Sequence, residues 1–173
     1  KYAQETVDKS HFSDYGKKRK QLTEKDIYAL FEGFKYVIPQ GSVMYGLGNK
    51  KVIASLSNCI VLPPTYDSYG GIFQTDQQMA QLFKRRCGVG VDLSQLRPKK
   101  ASVSNAAGTT TGAVSFMHRF SATTREVAQN GRRGALMLTM DIAHPDIEEF
   151  ITVKQDLKKV TGANISIRLS DEF

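Results

Sequence analysis

Two cysteines, Cys59 and Cys87, are the residues of this 173-residue chain best suited to covalent chemistry. Cys59 lies in SNCIVLPPTYD, an apolar run that ends in a Pro-Pro turn with Asp67 just beyond it. A thiol there has two readings. It fills space, since cysteine is among the most often buried side chains, or it is a redox group, which requires a second thiol within reach. Cys87 is the only other cysteine in the chain, and the sequence does not say whether the two meet. A second candidate is QNGRRG, Gln129 to Gly134, where Arg132 and Arg133 stand between glycines. Guanidinium groups on such a backbone suit bidentate clamping of phosphates or bases; a plain surface turn is the other reading. His11, His118 and His144 are scattered and have no metal-ligand spacing with the cysteines. The Gly-x-Gly of Gly88 and Gly90 falls inside a strand signal and lacks a third glycine, so it is not a dinucleotide fingerprint.

The elements that must position these groups follow from periodicity and punctuation. Residues 1–22 are polar and read as irregular. T-E-K-D, Thr23 to Asp26, is close to a capping box, and Ile27, Leu30, Phe31 and Phe34 follow at helical spacing until Pro39 and Gly41. IASLSNCIVL, 53–62, reads as a strand. Residues 72–86 read as a helix with Ile72, Met79, Leu82 and Phe83 on one side and a basic end. CGVGVDL, 87–93, is a short strand whose alternate glycines mark a close approach by a ligand or another backbone. Residues 98–112, PKKASVSNAAGTTTG, form a long small-polar loop of the kind that is more often functional than not. A helix carrying Val114, Met117, Phe120, Thr124 and Val127 follows. Then come a strand at ALMLTM (135–140), a short helix near Pro145 and a half-buried strand at NISIRLS (164–170). Helices alternating with strands predict an α/β fold with crossover connections.

The bulk composition excludes several classes. A hydrophobic fraction of 40% and a charged fraction of 24% are those of an ordinary soluble globular chain. No apolar run is long enough to span a membrane. The N-terminus lacks a signal-peptide core, and two isolated cysteines do not make a disulfide framework, so the expectation is a reducing, cytoplasmic setting. The net charge of +7, concentrated in part at Lys17–Lys20 and Lys84–Arg86, points to anionic partners such as nucleotides, phosphate esters or nucleic acid. No zinc spacing or other nucleic-acid fingerprint accompanies it.

Five ordered blocks carry a resemblance: SNCIVLPPTYDSYGGIF, RRCGVGVDLSQLRP, GAVSFM, NGRRGALMLTMDIAHPDIEEFI and NISIRLSDEF. In order and approximate spacing, over about residues 37–173, the chain resembles the large catalytic subunit of ribonucleotide reductase. R-R-G-A and H-P-D-I-E-E-F-I look most like the adenosylcobalamin-dependent (class II) group. The resemblance implies part of the first half of a ten-stranded α/β barrel. It also implies a mainly helical N-terminal segment at 1–38 and the incomplete barrel at 39–173.

It implies roles as well. Cys59 matches one of two thiols that reduce the substrate's 2′ position and become a disulfide, whereas Cys87 matches a non-redox position. Ser42, Ser57, Asn58 and Gly88 fall at substrate-binding positions; Asn58 stands where several relatives carry serine, and Ser42 lies in PQGSVM near a point where relatives carry threonine. Asp67, Arg97, Asn105 in the 98–112 loop and Arg133 in the 129–135 loop match effector-binding positions. The implied ligands are a ribonucleoside di- or triphosphate substrate and deoxynucleoside triphosphate or ATP effectors. Adenosylcobalamin is the implied cofactor, with a thioredoxin-like reductant and a homodimeric assembly. The family's radical cysteine, its neighbouring asparagine and glutamate, and its second redox cysteine lie beyond S-D-E-F, so the chain is expected to be an inactive fragment. The alternative is a non-catalytic nucleotide- or nucleic-acid-binding module that uses the basic runs, with Cys59 merely packed.

Overall fold

The computed structural model describes residues 22–127 and 134–173. Contacts divide the chain into two compact units, Lys1–Asn58 and Cys59–Phe173. In the first unit, Thr23 caps α1 (Glu24–Phe31) through the capping box read from the sequence: its hydroxyl accepts from Asp26 N, and Asp26 accepts from Thr23 N. α1 buries none of its residues. The helical pattern is expected to run to Phe34, but the helix ends at Phe31, and a 3-10 turn over Glu32–Phe34 carries Gly33 at φ 62. Gly41, expected as a terminator, instead opens α2 (Gly41–Gly46).

The second unit carries the sheet. Its strands are β1 (Cys59–Val61), β2 (Gly88–Asp92), β3 (Leu136–Asp141) and β4 (Asn164–Arg168), all parallel and in the order β1-β2-β3-β4. The connections hold α3 (Tyr69–Phe83), α4 (Ala113–Glu126) and α5 (Ile147–Thr152). The α/β architecture expected from alternating elements is therefore present, and parallel neighbours require such crossovers. Val89 and Val91 of β2 and Leu136, Leu138 and Met140 of β3 pack with Met79 and Phe83 of α3 and Met117 and Phe120 of α4 in one core. Burying each such side chain is worth about 1.5–3 kcal/mol.

Three expectations are corrected. The strand expected over 53–62 shrinks to Cys59–Val61. Upstream, the Ser55 hydroxyl both accepts from Ser57 N and donates to Ser57 O, at 3.0 Å each, and so closes a local turn that competes with a ladder. The helix expected at 72–86 starts three residues earlier. Ser68 caps it through Gly71 N, and Gly71 is required there because a Cβ would lie 2.5 Å from Tyr66 O. That helix also ends at Phe83, and Arg86 adopts φ 65 in the turn to β2. Finally, NISIRLS alternates in sequence, but β4 is the exposed edge of the sheet, with only Ile165 packed against the core.

Candidate functional site

Side chains alternate between the faces of a strand, so the buried Val89, Val91, Leu136, Leu138 and Met140 define the face covered by helices. The opposite face carries Cys59 and Val61 of β1, Gly88, Gly90 and Asp92 of β2, Met137 and Thr139 of β3, and Asn164, Ser166 and Arg168 of β4, by register. All-parallel sheets normally have both faces covered. Here Val61 is 81% exposed and Met137 40% exposed on a face that no described helix of this unit packs against. An uncovered, glycine-lined face of this kind has room for a ligand.

Cys59 is exposed on that face and is the register partner of Gly88. A cavity of about 410 Å³ lies along it, bordered by Cys59, Val61, Gly88, Gly90, Asp92, Met137, Thr139 and Asn164 among others. Cys87 is fully buried, and its parity points it to the helix-covered face, so the sheet separates the two thiols. Ser57 and Asn58, with Ser42, belong to the first unit, where the Ser42 backbone N–H donates to Asn58 Oδ1 at 2.9 Å. Ser57 takes part in the Ser55 turn.

At the carboxyl end of β2 the same face becomes polar. Asp92 accepts from Ser94 Oγ at 2.6 Å and Ser94 N at 3.1 Å, from Thr139 Oγ1 at 3.3 Å, and pairs with the Arg168 guanidinium of β4. Burial pushes the Asp92 carboxyl up, but the Ser94 hydrogen bonds and the Arg168 charge outweigh it and hold the group below its ordinary range.

A second cavity, about 300 Å³, lies where β1 and β2 hand over to their following segments. Asp67, Arg97 and Asn105 all line it, together with Ser68, Tyr69, Ser104, Thr110 and Phe116. Asp67 accepts from Arg97 Nε at 2.6 Å and Arg97 N at 3.2 Å, and Arg97 Nη1 donates to Ser102 O at 3.0 Å. The pair is partly exposed, so its worth lies in fixing geometry; exposed pairs contribute only about 0–1 kcal/mol. Tyr69 meets Phe116 edge-on at 6.4 Å and stacks on Phe73 at 6.1 Å. Carboxylate, guanidinium, amide and aromatic surface in one cleft suit a nucleotide: sugar hydroxyl, phosphates and base.

α4 connects the two regions. It begins where the 98–112 loop ends and extends about 21 Å at its 14 residues. Arg133 lies outside the described residues, as does the rest of 128–133. The described chain resumes at Gly134, and the Ala135 carbonyl accepts from Val89 N at 2.9 Å, beside the Gly88 that pairs with Cys59. Sequence reasoning missed Ser68, Tyr69 and Phe116, which no local pattern distinguishes from ordinary helix residues. It also missed His144 and Asp146, whose hydrogen-bond partners at Leu96, Lys99 and Ala113 are distant in the chain. Among the described residues no group of three His, Cys, Asp or Glu side chains is placed to hold a metal ion, and no helix is long and apolar enough to cross a membrane.

Comparison with known proteins identifies the surroundings of these sites. The family described as "Ribonucleotide reductase, barrel domain" matches residues 57–173. A vitamin B12-dependent ribonucleoside-diphosphate reductase of Thermoplasma acidophilum is 40% identical over 138 residues, 79% of this chain and 18% of that protein. A protein of the same description from Mycobacterium tuberculosis is 38% identical over 120 residues, 68% of this chain and 17% of that protein. The chain thus spans less than a fifth of the length of these curated relatives. Among solved structures, the Actinobacillus ureae class Id ribonucleotide reductase alpha subunit superposes with a TM-score of 0.64 at 16% identity, over 77% of this chain and 23% of that one, a likeness of fold.

Proposed function

The chain belongs to the ribonucleotide reductase large-subunit family, as a piece of its barrel domain, and from this we infer that the whole protein reduces ribonucleotides to deoxyribonucleotides with Cys59 as one of its two reducing thiols. The observation that carries the reading is Cys59 itself, exposed on an uncovered sheet face beside Gly88 and over a cavity that glycines keep open. Gly88 and Gly90 leave space for a sugar to approach the wall. Ser42, Ser57 and Asn58 are proposed as further substrate-binding residues.

In the reaction a thiyl radical elsewhere in the whole protein takes the 3′ hydrogen. The 2′ hydroxyl leaves as water, and two thiols, Cys59 and a partner, supply two electrons and two protons and become a disulfide. The 3′ hydrogen then returns to the sugar. Each turnover therefore leaves an oxidised pair that an external dithiol, of thioredoxin type, must reduce. Adenosylcobalamin is proposed as the radical source because relatives are named for vitamin B12. No cobalamin-binding residue is identified among the described residues: His144 commits both ring nitrogens to the protein, His118 lies exposed on α4, and no step is assigned to residues of this chain through that group.

The second cavity is proposed as the effector site. Asp67 would take the sugar hydroxyl, Arg97 the phosphates, and Asn105 a further polar contact, with Arg133 relaying effector identity to the substrate. Tyr69 and Phe73, 55% and 49% exposed at the start of α3, are proposed as part of a homodimer surface beside it. The test is ribonucleotide reduction by the full-length protein, anaerobically, with and without adenosylcobalamin. Activity only with the cofactor is expected. Activity without it moves the radical source to a partner subunit, and no activity in either condition rejects the reading.

A further inference from the structure

Two points of the chain far from it in sequence converge on Asp146, a residue only 8% exposed at the start of α5. Its carboxylate accepts from Lys99 N, at 3.0 Å to Oδ1 and 3.1 Å to Oδ2, and from Ala113 N at 3.1 Å to Oδ2. Lys99 and Ala113 are the two ends of the 98–112 loop, and Ala113 is the first residue of α4. Gly112 occupies the N-cap position of α4 at φ 89 and offers no capping side chain. A Cβ at Gly112 would lie 2.8 Å from Asp146 Oδ2 and 2.8 Å from Lys99 Cβ. The helix start is therefore capped from another element, and the glycine is what lets that carboxylate in. A negative charge at this end also suits the helix dipole.

His144 orients the group. Its Nδ1 accepts from Asp146 N at 3.0 Å, and its Nε2 faces Leu96 O at 2.7 Å. An amide only donates and a carbonyl only accepts, so the pair requires the neutral ring with its hydrogen on Nε2. Leu96 immediately precedes Arg97 of the second cavity. The turn after β3 thus grips the backbone just before Arg97, just after it, and again at the far end of the loop.

We propose that Asp146, oriented by His144, is the positioning residue that holds the 98–112 loop and the start of α4 in the register where Asp67, Arg97 and Asn105 share one cavity, so that occupancy of that cavity is transmitted along α4. The proposal rests on the reading of the cavity as an effector site. The grip is made by main-chain amides, so it does not depend on the identity of the loop's side chains. Asp146 touches neither nucleotide; it acts through the loop.

The experiment uses the full-length protein and reads two quantities: amide hydrogen exchange over residues 98–113, and deoxynucleoside triphosphate affinity with the substrate preference it induces. Asp146→Asn is expected to accelerate exchange at Lys99 and Ala113, to weaken effector binding about tenfold, within the usual range of coupling between sites, and to leave effector-free reduction unchanged. Lys99→Ala, which loses the contact to Glu149 but keeps the amide, is expected to retain effector affinity. Wild-type exchange and affinity in Asp146→Asn overturn the proposal. Should Asp146→Asn not fold, His144→Ala carries the same test by removing the acceptor of Asp146 N, and wild-type behaviour there overturns it equally. If exchange responds in a protein that binds no deoxynucleoside triphosphate, the premise fails and transmission falls with it, an outcome the exchange data distinguish from a missing grip.

Discussion

At the scale of single residues, the proposed chemistry rests on a few side chains whose surroundings differ in kind. Cys59→Ser in the full-length protein is expected to abolish multiple turnover with an intact fold, measured as deoxyribonucleotide formed per enzyme with excess dithiol; sustained turnover would remove Cys59 from the redox pair. Asp67→Ala is expected to weaken effector binding, because it deletes a carboxylate in the cavity and also releases Arg97 from its 2.6 Å partner; equilibrium titration with deoxynucleoside triphosphates checks it. Asp92 gives a pH prediction. Its carboxyl is held below the ordinary value of 3.8, so its contribution to stability is fully present above that pH and is lost as pH falls through the lower, folded value. Arg168→Ala should move the Asp92 titration upward, as read by carboxyl chemical shifts against pH. Cys59 stood out by residue type alone, but its proposed redox role and the Asp67–Arg97–Asn105 set came only through the resemblance. Asp146 was not legible at all, since H-P-D reads as a turn before a helix and nothing local announces amide partners 33 and 47 positions away.

At the scale of elements, α4 is the member on which most depends. Phe120, fully buried on it, packs in the core with β3 and α3. Phe120→Ala is expected to cost about 3–5 kcal/mol, measured by denaturant unfolding of the chain. The periodicities of α3, α4, β2 and β3 were readable because each presents a strong apolar stripe or alternation to one core. Each failure has its own physical cause. IASLSNCIVL is apolar enough for a strand, yet the Ser55–Ser57 turn satisfies its backbone locally. Ser68 and Gly71 start α3 early for reasons of cap and clearance that a hydrophobic pattern does not contain. α1 has the periodicity of a packed helix but buries nothing, since periodicity specifies a face and not its partner.

At the scale of the whole molecule, the strands stand in space in the order in which they occur in the chain, and every one adds to the edge left by its predecessor. Among the described strands none waits for a later one to be inserted between earlier neighbours. A chain leaving the ribosome can therefore build this sheet as it appears, β2 on β1, β3 on β2 and β4 on β3, each new β-α unit finding its template already in place. The far edge of β4 carries no other described strand. Such an order lets synthesis and assembly run in the same direction, since each new strand has only its predecessor to find.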